Sequence, residues 1–153
     1  MTIRRLIAPT RAEIAALADV FDRYREHYGE QPGPTGAAAW LAANIATGRL
    51  DAFVAEVDGG IVGFATVAPV PASLRLARFW QIRDLFVSPG HRRRGIARAL
   101  LEAVRGAATA AGAERLSLLT EADNEAALRL YAAGGYEVVD RYRSLTLPLS
   151  QRP

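Results

Sequence analysis

At 153 residues with 50% hydrophobic content, the chain has room for one domain with a substantial core and none for a second. It carries no cysteine and two separated histidines, His27 and His91, which excludes disulfides, thiolate metal sites and a cysteinyl covalent intermediate and leaves no metal cluster. Its net charge is only +3, all 19 basic residues are arginine, and the 16 acids are spread along the chain, so the pI near 9.8 reflects an arginine-rich composition and is weak evidence for a nucleic-acid partner, which is not expected.

No apolar run reaches the length of about 18 residues that a membrane span needs. The start, "MTIRRLIAPTRAEI", lacks the apolar segment and cleavage site of a secretory signal. A cytoplasmic protein with no membrane partner is expected, and residues 1–153 are expected to form a single domain.

Residues 2–7, "TIRRLI", predict a short opening strand. Then Ile14, Leu17, Phe21, Tyr24 and Tyr28 recur at spacings of three and four, which predicts a helix with one apolar stripe, capped at Thr10 and stopped at Gly29. After the break "EQPGP", a second helix is expected over about 35–47. "AFVAEV" and "IVGFATVAP" flank "DGG", the signal of a tight antiparallel hairpin. "VPASLRLAR" reads as a loop, and "FWQIRDLFV" has the β-branched and aromatic content of a buried strand.

That strand runs directly into "VSPGHRRRGIARALL", after which Ile96, Ala99, Leu100, Ala103, Val104, Ala107 and Ala108 recur at helical spacing up to Gly112. "RLSLLT" predicts another strand, "NEAALRLYAAGG" a short helix, and "YEVVDRYRSLTLPL" two closing strands.

The strand, basic turn and helix unit carries the chemistry. A helix N-terminus presents unpaired N–H groups and about half a positive charge, and Gly95 lets an anion approach the backbone. Arg92, Arg93, Arg94 and Arg98 add charge-assisted donors suited to a pyrophosphate rather than to one carboxylate. The bland alternative is a solvated charge run at a loop. A Walker loop requires a lysine, which the chain lacks, and the three spaced glycines of a dinucleotide-binding turn are absent from this stretch.

The pattern Arg-x-x-Gly-x-Ala over 92–97, preceded by a strand and followed by an amphipathic helix, resembles the acyl-CoA signature of the GNAT superfamily of N-acetyltransferases. The likeness extends through "DLFVSPGHRRRGIARALLEA" and "LLTEADNEAALRLYAAGGY" to about residue 147, and is closest to the diamine and histone/polyamine acetyltransferase-like branches. It implies an α+β fold: a mixed central sheet of about seven strands, splayed between strands 4 and 5, with about four helices. It further implies acetyl-CoA as acetyl donor, no metal, a small-molecule primary amine as acceptor and a homodimer, for which the alternating "RYRSLTLPL" offers an edge.

Residue by residue, the resemblance implies that the backbone of Leu85, Phe86 and Val87 pairs with the pantetheine arm. Arg92, Arg93, Arg94, Gly95, Ile96, Ala97 and Arg98 would hold the pyrophosphate, and Asn124 the cofactor arm. Tyr131 would stand beside the thiol, where its phenol could protonate the departing thiolate. The alternative for Tyr131 is a core residue on a short helix.

An aliphatic ammonium with pKa about 10.4 is only ~1 in 2,500 neutral at pH 7, a deficit of about 4.6 kcal/mol, so deprotonation must be assisted. A carboxylate acting through water, desolvation, or both would serve. Related diamine-type enzymes have a glutamate just before the aspartate of the central strand, but "QIRDLFV" has Arg83 there. This leaves Asp84 as the candidate base, with a salt bridge to an arginine as its alternative role, and Glu121 as a second carboxylate.

The acceptor pocket is expected between the first two helices and residues 70–79, with Tyr24, Tyr28 and Trp80 as substrate-binding candidates and Glu26, His27, Glu30 and Phe79 nearby. Tyr24 and Tyr28 also lie on the apolar stripe, where core packing is the competing role. Competing functions are acetylation of a protein amine or an aminoacyl-tRNA, and a non-catalytic acyl-CoA-binding regulatory domain.

Overall fold

The computed structural model describes residues 1–149. Among them are four α-helices and a five-stranded mixed sheet of order β1-β2-β3-β4-β5, an α+β arrangement. The chain divides into two compact units, Met1–Leu119 and one beginning at Thr120.

The first unit opens with β1 (Thr2–Arg5) and α1 (Arg11–His27). Helix α1 starts at a full capping box: Glu13 N–H donates to Thr10 Oγ1 at 3.2 Å, and Thr10 N–H donates to Glu13 Oε2 at 2.8 Å. Helix α2 (Pro34–Ala46) has no side-chain cap of its own, and the buried Asp22 carboxylate accepts the amide of its N-cap residue Gly33 at 2.9 and 3.1 Å. The same carboxylate accepts from Arg25 Nη1 at 2.6 Å, so one buried acid, fully partnered, fixes the corner between α1 and α2.

Strands β2 (Asp51–Val57) and β3 (Gly60–Ala72) meet at Asp58 and Gly59, both with positive φ (51° and 80°), the requirement of the two-residue turn that "DG" signals. Strand β4 (Ala77–Val87) pairs antiparallel with β3 as far as Ala72↔Ala77. The loop expected over 70–78 is therefore mostly strand, closed by a 3-10 turn at Ser73–Arg75. Pro69 and Pro71 are tolerated there because β2 pairs with β3 only up to Val67, so one edge of β3 has no neighbour to ask for an N–H.

Helix α3 (Ile96–Ala110) and strand β5 (Leu116–Leu118) complete this unit. Helices α1 and α2 cover one face of the sheet, where Leu17, Phe21 and Leu41 pack with Val54, Phe64 and Phe86. Helix α3 packs against β1 to β4 through an apolar stripe that includes the fully buried Leu100 and Val104. Burying side chains of this size stabilises by roughly 1.5–3 kcal/mol each.

In the second unit, α4 (Glu125–Ala133) is capped by Asn124, whose Oδ1 accepts from Ala127 N–H at 3.1 Å. The two expected closing strands are not found: no strand occurs over 137–149, so the described sheet has five strands rather than about seven. Val138 and Tyr142 have strand-forming character but, like Leu145 and Leu147, are exposed, and among the described residues no hydrogen-bonded neighbour strand accompanies them.

Candidate active site

Strand β5 runs parallel to β4 and pairs with only Trp80, Gln81 and Ile82. Strand β4 continues five residues further, so Leu85 to Val87 present a strand edge beyond the last pairing with β5.

Past Val87 the chain turns through a 3-10 turn, Pro89–His91, to the basic loop. Arg92 Nε donates to the Val87 carbonyl oxygen at 2.9 Å, and its guanidinium lies 5.7 Å from the centroid of the Phe86 ring. Arg93 (φ 63°) and Gly95 (φ 77°) are both left-handed, which turns successive amides toward one side as a concave nest. Among the described residues no acceptor meets the amides of Arg93, Arg94 or Gly95, and α3 begins at Gly95 with no side-chain cap over its first turn. A Cβ built on Gly95 would meet no atom within 4 Å, so the space above the nest is open. Arg93, Arg94 and Arg98 are exposed and make no ion pair or side-chain hydrogen bond among the described residues. Unmet amides, open space and three unpaired guanidinium groups fit the diphosphate of a CoA ester.

Asp84 lies upstream on the same strand. The β3–β4 register changes from Thr66↔Asp84 to Val67↔Ile82, so Arg83 is the extra residue of a β-bulge. The bulge reverses the alternation: Asp84 shares its face with Phe64 and Phe86 beneath α1, whereas Ile82 and Trp80 share theirs with Val67 on the α3 side. Tyr24 Oη, from α1, donates to Asp84 Oδ1 at 2.9 Å, and Thr66 Oγ1 donates to Asp84 Oδ2. Among the described residues Asp84 forms no ion pair, and exposed Arg83 instead donates to Gln81 Oε1 at 3.2 Å.

A matching family model, described as the acetyltransferase (GNAT) family, covers residues 15–136. The chain belongs to the GNAT acetyltransferase family. It is 36% identical over 126 residues to the uncharacterized N-acetyltransferase YhfO of Bacillus subtilis (strain 168), spanning 82% of this chain and 85% of that one. The crystal structure of a probable acetyltransferase matches at TM-score 0.90 and 28% identity, over 99% of this chain and 100% of that chain. An aminoglycoside acetyltransferase, meta-AAC0020 from an uncultured soil metagenomic sample, shares the fold at TM-score 0.75 and 23% identity, over 95% and 96% of the two chains. N-acetyl transfer is the activity class of the family, and the chain has its α+β fold, with a five-stranded sheet and four helices among the described residues.

Within this GNAT chain the structure brings some expected site residues together. Tyr24 and Tyr28 make ring contact at 5.1 Å, and Tyr24 also contacts Phe64 and Phe86, at 5.7 and 5.8 Å, on the Asp84 face. Trp80 is not brought there: it is 3% exposed, lies on the opposite face of the sheet and has the Arg5 guanidinium 5.5 Å from its ring centroid. Phe79 lies under the Arg115 guanidinium at 3.9 Å. Glu121, Asn124 and Tyr131 belong to the second unit, where Glu121 is exposed, Asn124 caps α4 and the Tyr131 ring is 5.7 Å from that of Tyr136.

Two side chains were missed by sequence reasoning. Thr66 is a fully buried hydroxyl in the apolar run "GFATVAP", and a lone polar residue in such a run is the signal that would have found it. Trp40, half exposed, stacks on Phe21 at 5.9 Å and 14°; it lies beside the core-facing Ala37, Leu41 and Ile45 of α2 rather than among them, and no sequence signal singled it out.

Proposed function

We propose that this GNAT protein moves an acetyl group from acetyl-CoA to a primary amine of a small molecule, directly and within a ternary complex, and that residues 1–153 act as one catalytic domain. The observation that supports the reading is the edge of β4 left unpaired beyond β5, followed by the unmet amides of the loop and helix start at 93–98. The family match from 15 to 136 extends across both compact units and supports the single domain.

Bound acetyl-CoA supplies the thioester that is attacked. Leu85, Phe86 and Val87 offer backbone groups to its extended arm, although the Val87 carbonyl is already shared with Arg92. Arg93, Arg94, Arg98 and the amides of Gly95, Ile96 and Ala97 offer donors to its diphosphate. Asn124 Oδ1 is committed to capping, so its Nδ2 group is what it can offer the arm. Asp84 takes the proton that the ammonium must lose, with Glu121 as a second carboxylate, and Tyr24 and Tyr28 frame the acceptor side. Tyr131 gives its phenolic proton to the departing sulfur. With no cysteine to carry an acyl group, a thiol-shuttle mechanism is excluded and sequential kinetics are expected.

Cytoplasmic residence goes with a reaction that draws on acetyl-CoA, and no described helix is long and apolar enough to cross a membrane. A homodimer is also part of the proposal: Leu145, Leu147 and Leu149 alternate along the chain and are 90%, 80% and 93% exposed, an apolar row that a second copy would cover.

The deciding experiment is release of free CoA thiol from acetyl-CoA across a panel of spermidine, sisomicin, glucosamine, single amino acids and a short peptide with a free N-terminus. Turnover of one small amine with intersecting initial-rate lines supports the proposal. Turnover of the peptide alone redirects it to a protein amine, and binding of acetyl-CoA without thiol release for any amine makes the chain a sensor. Spermidine tests the diamine and polyamine likeness directly.

A further inference from the structure

We propose that Thr66 and Tyr24 are positioning residues that fix the plane of the Asp84 carboxylate from two different elements, an inference that rests on the reading of Asp84 as the proton acceptor. Thr66 is wholly buried in mid-strand, between Phe64 and Val67 along the chain. Valine would have the same shape and would suit a buried strand at least as well, whereas a buried hydroxyl costs free energy unless it is hydrogen-bonded. The bond it makes is to Asp84 Oδ2, directly across the β3–β4 ladder.

The bulge at Arg83 completes the device. In a regular strand Ile82 and Asp84, two residues apart, would share one face; by absorbing Arg83 as the extra residue the bulge lets Ile82 face the Val67 side while Asp84 faces Thr66 and Phe64. With it, the carboxylate comes under α1, where Tyr24 takes the other oxygen at 2.9 Å. The Tyr24 ring is itself held between Phe64, Phe86 and Tyr28.

A strand aspartate alone is free to rotate about both side-chain torsions. Here each oxygen holds one hydroxyl, one donated from the sheet and one from the helix, so rotation would break both bonds. Each oxygen has two lone pairs, so one per oxygen remains. When the ammonium N–H bond breaks, its electron pair stays on nitrogen and the proton forms an O–H bond at one of those remaining lone pairs. Neither hydroxyl has to give up its own proton.

The test is a double-mutant cycle with the fastest amine from the panel above. Thr66→Val is expected to lower kcat about 10-fold to 100-fold, the scale of a misplaced catalytic group. The acetyl-CoA KM should stay within about twofold, since a positioning loss falls on kcat, and Thr66→Ser should restore the rate. In an Asp84→Asn background, Thr66→Val should add no further loss, because both changes remove one function. Tyr24→Phe, which keeps the ring, should behave alike and carries the test if Thr66→Val fails to fold. Full kcat in both hydroxyl variants, or losses that multiply with Asp84→Asn, would overturn the positioning role alone. Full kcat in Asp84→Asn would instead remove the base assignment, and no turnover with any amine would remove both.

Discussion

Arg92 Nε donates to the Val87 carbonyl oxygen, tying the first residue of the basic run back to the last residue of β4. Arg92 is thereby distinguished from Arg93, Arg94 and Arg98, which have no such partner among the described residues. Its guanidinium also rests near the Phe86 ring, so removing it costs packing as well as charge. Arg92→Ala is therefore expected to lower the melting temperature and weaken acetyl-CoA binding together. Arg94→Ala should leave melting unchanged, weaken acetyl-CoA binding by about 1.5–3 kcal/mol, the scale of a hydrogen bond to a charged group, and reduce its salt dependence. Thermal melts and calorimetry at two salt concentrations separate the two. Equal melting temperatures would put all four arginines in the same class.

Gly95 sits at φ 77°, and a side-chain carbon there would have no neighbour within 4 Å, so any substitution acts through strain and through the ligand rather than through a clash within the protein. Gly95→Ala is expected to cost about 1–2 kcal/mol for the left-handed backbone and to weaken acetyl-CoA binding. Gly95→Glu adds an anion where a diphosphate would approach and should abolish binding altogether. Titration calorimetry decides this, and unchanged affinity in Gly95→Glu would place the diphosphate elsewhere.

Much of this arrangement is legible in the sequence. The stripe from Ile14 to Tyr28, the "DG" turn and the Arg92–Arg98 loop are local signals, because periodicity, turn chemistry and a helix start are properties of neighbouring residues. What escapes sequence reasoning is non-local. The bulge at Arg83 exists only in the register between β3 and β4, and Thr66 meets Asp84 across 18 residues of chain. The same cause explains why Arg83 reads in the sequence as a charge replacing an acid: the position is an insertion in the ladder, and Asp84 behind it is turned to the other face. The opposite error occurs over 137–149, where β-prone residues suggest strands but no partner ladder is present among the described residues.

Glu13 predicts a pH dependence. Its carboxyl is held below the ordinary value of 4.5 first by the Thr10 amide, then by Arg4 and the Thr10 hydroxyl. A carboxyl depressed in the folded state contributes stability that is fully present above its unfolded value and is lost as pH falls through the folded one. The melting temperatures of the native protein and Glu13→Gln should therefore differ at pH 7, with the native protein higher, and converge as pH is lowered below about 4.5. A constant gap across that range would mean that the capping geometry, not the charge, sets the difference.

Tyr131 provides the sharpest test of the proposed chemistry. Its ring packs against Tyr136 in the second unit, so Tyr131→Phe preserves that contact while deleting one hydroxyl. If the phenol supplies the proton to the departing sulfur, kcat should fall about 10²-fold to 10⁴-fold, the scale of general acid catalysis. Acetyl-CoA affinity should hardly move, because a group acting only as the bond to sulfur breaks contributes little to ground-state binding. The loss should also shrink for acyl donors whose leaving thiolate is intrinsically more stable, since these need less help from an acid. A Tyr131→Phe enzyme with full kcat on a turned-over amine would leave the sulfur to be protonated by water and return Tyr131 to packing.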